Sequence, residues 1–244
     1  MAVAYIQSGS ISNILDTLPS LKMSMQGSSS ITTGNLLVLG INHQIASMSV
    51  NDNNHNVWTC GVSSSDVGSN QQTSMWFAKN ITGGGVAGVT ASWVPDSAFI
   101  TMVVTEYSGL DTTAPFATGS SRNGITGTNV LNAVVSPQIT LTNNPSWIVG
   151  CAVDNIGSAV ITAGYSHILR KSLEVSGQGT AIEDRQSSGS TASASFSFSV
   201  AQTYGASIIA FKLASAAAPS VGTLGSFITT GLYQTVGLKS ITVD

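Results

Sequence analysis

The chain reads as an all-β protein, an antiparallel β-sandwich of jelly-roll-like type with a short C-terminal arm. Three observations carry that reading. Apolar runs are short and rich in Val, Ile, Thr and aromatic residues, as in Phe99-Ile100-Thr101-Met102-Val103-Val104-Thr105-Glu106-Tyr107, a composition that suits pleated, half-buried surface. Other runs alternate with period two, such as Ser193 to Val200, which puts Ala194, Phe196, Phe198 and Val200 on one face. Gly- and Asn-rich stretches punctuate the runs where reversals are needed, as at Gly83-Gly84-Gly85.

In chain order, Ala2 to Ile11 reads as a first strand and Ser12 to Leu18 as one helical turn stopped by Pro19. Leu21 to Gln26 alternates as a strand with one wet face. Asn35 to Ile41 is continuously apolar, as expected in the middle of a sandwich. Ala46 to Val50 and Val57 to Cys60 flank a polar hairpin loop, Asn51 to Asn56, and Gly61 to Gln72 reads as another loop. Met75 to Asp111 then reads as a central meander of three strands, with the three glycines supplying a reversal that needs positive φ. Pro115 to Ala117 reads as a short edge strand and Gly119 to Gly127 as a flexible loop around Arg122. Val134 to Leu141 leads into a second fully apolar strand, Trp147 to Val153. Ile168 to Val175, Thr180 to Gln186, Ala192 to Val200 and Ser207 to Leu213 complete the set. The domain reading is one sandwich over residues 1–213, a linker over 214–220 and an arm over 221–244, the last too short to form a core alone.

Composition narrows the function. Of the 244 residues only 8% are charged and the net charge is -3, so the surface must be built from Ser, Thr, Asn, Gln and Gly. The basic residues Lys22, Lys79, Arg122, Arg170, Lys171, Arg185, Lys212 and Lys239 make no patch, which speaks against phosphate-backbone binding to nucleic acid. No apolar run is long enough for a spanning helix, and the N-terminus lacks the charged and apolar regions of a secretory signal. Cys60 and Cys151 both lie in apolar, strand-like surroundings and read as buried free thiols; spacing does not decide a disulfide.

Candidate chemistry is sparse. His43 with Asp52 and a serine could form a triad, but no nucleophile-elbow motif accompanies them, and His43, His55 and His167 read as loop or surface histidines. Glu106 and Asp111 could pair for glycoside hydrolysis, against a structural role for Glu106 in accepting backbone hydrogen bonds at a turn. Asp52 to Asn56 offers oxygens for calcium but lacks the glycine and distal glutamate of an EF-hand loop, so it reads as a polar hairpin. There is no zinc spacing, and Gly83 to Gly85 lacks the Lys-Ser/Thr of a phosphate loop. Asn80-Ile81-Thr82 matches a glycosylation sequon that has meaning only on a secretory route. Trp58, Trp76, Trp93 and Trp147 would form a sugar-binding platform if exposed, whereas their apolar neighbours favour core filling. No catalytic, cofactor-binding or metal-binding residue emerges, and no cofactor is expected.

Thr33 to Val38, Trp76 to Gly84, Glu106-Tyr107-Ser108-Gly109-Leu110-Asp111 and Ala206 to Lys212 together resemble a β-sandwich domain of phage virion and decoration proteins and related bacterial surface proteins. The resemblance spans roughly residues 2 to 213 and implies a fold, not an activity. With no secretory signal, it implies a structural virion protein assembled in the host cytoplasm, most simply a capsid decoration protein held through a terminal arm. The implied partners are a capsid or other virion protein and further copies of the chain, a trimer above all. A carbohydrate-binding or adhesive module, with a glycan as ligand, and a strand-exchange filament subunit are the alternatives.

Overall fold

The computed structural model describes residues 2–25, 30–44, 46–66, 71–85, 88–125, 133–154, 160–200 and 203–215, and these are all-β. The linker and arm expected over 214–244 lie, apart from residues 214 and 215, outside the described residues.

The first half contains β1 (Ala4–Asn13), β2 (Leu18–Ser24), β3 (Leu36–Gln44), β4 (Ser47–Asp52), β5 (Trp58–Asp66), β6 (Gln71–Ala78), β7 (Gly88–Ser97) and β8 (Ile100–Ser108). These form a five-stranded sheet of order β1-β8-β3-β6-β5 and a three-stranded sheet of order β2-β7-β4. The second half contains β9 (Phe116–Ile125), β10 (Ala133–Val135), β11 (Ile139–Thr140), β12 (Ser146–Asp154), β13 (Ile161–Ala163), β14 (Ile168–Val175), β15 (Gln178–Ser187), β16 (Thr191–Ala192), β17 (Ser195–Phe198) and β18 (Thr203–Lys212). Its sheets are β9-β18-β12-β15-β14 and β10-β17-β13, with β11 and β16 as a separate ladder. All pairings are antiparallel.

The second strand order repeats the first. Reading β9 for β1, β18 for β8, β12 for β3, β15 for β6 and β14 for β5 reproduces the large sheet; β10, β17 and β13 reproduce the small one. The bulges repeat as well. Ile6 is the extra residue where β1 meets β8, and Ala117 where β9 meets β18. Gly61 is extra in β5, and Arg170 in β14. Where the sequence suggested one sandwich, the chain thus folds as two halves of the same strand order.

The two large sheets pack face to face. β1 lies against β14 and β5 against β9, while β8 faces β15 and β6 faces β18. This places the halves about an approximate two-fold axis parallel to the strands. Between them lies a layer that changes character along that axis. At one end it is aromatic (Tyr107, Trp147, Phe77, Phe211), and in the middle aliphatic (Val38, Val103, Val149, Ile182). At the other end it is polar: Asn42 Nδ2 donates to Asp154 O at 3.0 Å and Gln178 Oε1 at 2.8 Å, and the Thr101 and Thr180 hydroxyls bond at 2.6 Å. The outer face of each large sheet is covered by its small sheet. Met23, Val89 and Trp93 pack on Leu37, Leu39 and Met102 in the first half; Phe196 and Phe198 pack on Ile148, Ala152 and Ile208 in the second. The result is four layers, so β3 and β12 are buried on both faces, which explains their unbroken apolar runs.

Several local expectations are corrected. Ser12 to Leu18 is no helical turn: Asn13 Oδ1 accepts the amides of Leu15 and Asp16, and this side-chain turn drops the chain straight into β2. Met75 to Asp111 is not a meander, because β6 and β8 belong to the large sheet and β7 to the small one. Gly84 and Gly85 do adopt positive φ, at 99° and 68°, turning the chain from one layer to the next. The loops expected over Gly61 to Gln72 and Gly119 to Gly127 are largely strand, reaching Asp66 and Ile125. Their polar residues run along sheet edges, where one side of a strand needs no apolar partner. Val200, assigned to the inner face, is 47% exposed because β17 ends at Phe198.

Candidate functional site: a polar groove where three loops meet

Most of the polar residues singled out in the sequence hold the fold together. Glu106 is buried, and its carboxylate accepts from Gln7 Nε2 at 2.6 Å, Asn35 Nδ2 at 2.7 Å and Thr32 N at 2.9 Å. That is the expected structural role, with side-chain amides added to the backbone donor. Asp111 accepts the amides of Thr113 and Ala114 in a turn, and these bonds hold its carboxyl below the usual carboxylate range. The two carboxylates serve separate networks.

His43, expected at the surface, is fully buried in β3. Its Nδ1 bonds Gln44 O at 2.6 Å, its Nε2 meets Ser74 Oγ at 3.3 Å, and the ring packs by Trp93. Burial lowers its pKa to about 4, so the ring is neutral near pH 7. Asp52 bonds other groups altogether, so no triad with His43 is assembled. Its Oδ1 accepts Asn54 N and Asn56 N; its Oδ2 accepts Asn56 Nδ2 and Trp58 Nε1. Both oxygens thus organise the hairpin. Of the thiols, Cys151 is buried, but Cys60 is exposed because β5 is an edge strand; both are free. Trp93 and Trp147 are buried, and Trp58 and Trp76 pack against the first core, so the tryptophans fill space.

A second buried carboxylate, Glu183, was not singled out in the sequence. It accepts Ser195 N at 2.8 Å and Gly164 N at 3.2 Å and lies 3.6 Å from His167 Nε2. Desolvation raises it to about 8 and lowers His167, so the contact favours neutral partners over an ion pair. Asp184 beside it accepts Arg170 Nε at 2.7 Å, and the guanidinium lies 4.8 Å from the centroid of the Tyr5 ring. Burial still holds the Asp184 carboxyl above the usual range, against the pull of Arg170.

Among the described residues, several elements together enclose a surface groove of about 500 Å³. Its walls are the β4–β5 hairpin (His55, Asn56, Val57), the end of β6 (Lys79, Asn80, Thr82) and the turn after β8 (Thr112, Thr113). The walls are tied to one another. Asn54 Nδ2 donates to Thr82 O and Gly84 O, Thr82 N donates to Asn56 Oδ1, and Lys79 Nζ donates to Thr113 O. His55 and Asn80 hold left-handed backbone at φ 57° and 47°, a conformation that non-glycine residues keep only where surroundings enforce it.

An adjoining hollow of about 290 Å³ shares Thr59 and Lys79 and is floored by Phe77 and Phe116. Those rings stack at 5.6 Å with 3° between planes, and Phe211 meets Phe77 edge-on. Asn80, Lys79 and Phe116 do not stand out as site residues in the sequence, because loops separated by some 25 to 60 residues meet here only through the two-sheet packing. No protein-family model, curated protein or solved structure matches the chain.

Proposed function

We propose that this chain is a structural protein of a bacteriophage particle, a decoration or auxiliary subunit of the capsid surface that works by binding rather than by catalysis. We read each half as jelly-roll-like, since its strands wind between a large and a small sheet. The observation that carries the proposal is the use of the buried carboxylates. Glu106, Asp52, Glu183 and Asp184 each accept hydrogen bonds from backbone, indole or guanidinium groups that the fold requires. Carboxylates so engaged give rigidity; acid–base work needs a group that can reach a substrate proton.

The resemblance to virion proteins and the charge-poor composition support the same reading. Attachment runs through residues 221–244, by strand addition to a neighbour's sheet edge, and symmetric association, a trimer in the first instance, multiplies weak contacts. The described chain ends where Ala214 N donates to Gly109 O, beside the turn that walls the groove.

Light scattering after size exclusion, on the full chain and on one ending at Ser215, tests this. A discrete oligomer for the first and a folded monomer for the second is the expected result. Monomers in both cases would remove self-assembly through the arm.

A further inference from the structure

We propose that the groove between the β4–β5 hairpin, the end of β6 and the turn after β8, together with the adjoining hollow, binds a neutral oligosaccharide, with Phe116 in the hollow as the platform for a sugar ring. This goes beyond the structural role and does not depend on it.

The approximate two-fold axis supplies the first argument, because it gives each position of the hollow a counterpart. By strand register Phe116 corresponds to Tyr5, Phe211 to Tyr107, Phe77 to Asp184 and Gly61 to Arg170. On the Tyr5 side Arg170 reaches from its bulge over the Tyr5 ring and bonds Asp184, closing the corner. On the other side the bulge residue is Gly61, which has no side chain to cover Phe116. Phe116 instead stacks flat on Phe77 and stays 37% exposed. Of two equivalent corners, one is plugged and one is open with an aromatic face in place.

The chemistry of the walls selects the ligand. His55, Thr59, Asn80 and Thr112 carry side chains with no hydrogen-bond partner among the described residues, around a space within the roughly 300–1,000 Å³ usual for small-ligand sites. The formal charges nearby offset one another: the Lys79 and Lys212 ammonium groups act on the Asp111 carboxylate, which also accepts two backbone amides. An anion would meet the Asp111 carboxylate as well as the Lys79 ammonium, and an apolar ligand would strand amide and hydroxyl groups. A neutral polyol meets both demands, its hydroxyls pairing with the amide, imidazole and threonine groups and its C–H face lying on Phe116. The tied walls hold these groups in place beforehand, which lowers the ordering cost of binding.

The test is an amide-resolved NMR titration with neutral oligosaccharides of glucose, mannose, galactose, xylose and N-acetylglucosamine, taken to millimolar concentration. The expected result is a saturable response to at least one, confined to residues 55–59, 79–82 and 112–116. Phe116→Ala, Thr112→Val and Asn80→Gly, the last keeping the left-handed backbone available, are each expected to raise Kd several-fold or more while thermal unfolding remains cooperative. Should Phe116→Ala fail to fold, the other two decide. No saturable response across the panel, or unchanged affinity in the folded variants, would overturn the proposal.

Discussion

Gly40 and Cys151 are counterparts in the two halves, and they face each other across the approximate two-fold axis. A Cβ added at Gly40 would stand 2.6 Å from Cys151 Sγ and 3.3 Å from Ile182. A position near a two-fold axis meets its own counterpart, so the pair must share one space, and the chain divides it unequally between a glycine and a thiol. Gly40→Ala is therefore expected to cost about 1–3 kcal/mol through overpacking. Adding Cys151→Ala removes the sulfur in the way, so the double variant is expected to be more stable than Gly40→Ala alone. Urea denaturation of the wild type, both single variants and the double variant reads this out; additive losses would show that the two positions do not share space.

The Arg170–Asp184 pair closes its corner at a desolvation cost, since the Asp184 side chain is fully buried. Arg170→Ala leaves that carboxylate without its partner and is expected to destabilise by about 3 kcal/mol. The opposite corner, built from Phe77, Phe116 and Gly61, shows an apolar solution for the same geometry. Arg170→Ala combined with Asp184→Leu is accordingly expected to lose less than Arg170→Ala alone. A denaturant double-mutant cycle decides it, and a double variant as unstable as the sum of its parts would contradict it.

Stability should depend on pH through two buried groups of opposite sign. Glu183 rises on folding to about 8 from an ordinary value of 4.5, so its contribution is full below about 4.5 and is lost as pH rises toward 8. His43 falls from 6.5 to about 4, so its contribution is full above 6.5 and is lost as pH drops toward 4. Between 4.5 and 6.5 the two slopes oppose each other; from 6.5 to 8 only the Glu183 loss remains, with a limiting slope of about 1.4 kcal/mol per pH unit. Urea midpoints are expected to fall across that upper window in the wild type and to flatten in Glu183→Gln. An equal decline in the variant would place the effect elsewhere.

Asp52 holds the hairpin through both oxygens. Asp52→Ala is expected to cost about 1–3 kcal/mol, as for loss of a buried acceptor, and to speed hydrogen exchange at the Asn54 and Asn56 amides. Because those oxygens already accept four donors, millimolar calcium is expected to leave the melting temperature of the wild type unchanged. A clear rise would return the loop to metal binding.

The repeat of strand order was not legible in the sequence, and the large-sheet register explains why. Aligned through it, the positions that keep the same residue are Ser10 and Ser121, Val38 and Val149, Ser63 and Ser172, Gln71 and Gln178, and Thr73 and Thr180. A β-sheet face asks only for apolar residues of suitable volume, so two halves can keep strand order and bulges while nearly every side chain changes. The edge strands misled for a related reason: β5 and β9 carry serine, glycine and asparagine at positions where a loop would carry them too.

What the sequence by itself determined is the all-β class, the central strands β3, β8, β12 and β18, and the core role of the tryptophans, because period and apolar content act locally along the chain. The tertiary structure decided which strand joins which sheet, that Glu106 and Glu183 lie buried under backbone donors, that Cys60 is exposed, and that three separated loops enclose one groove. Those outcomes depend on pairings between residues far apart in the chain, whose energies appear only once the two sheets have met.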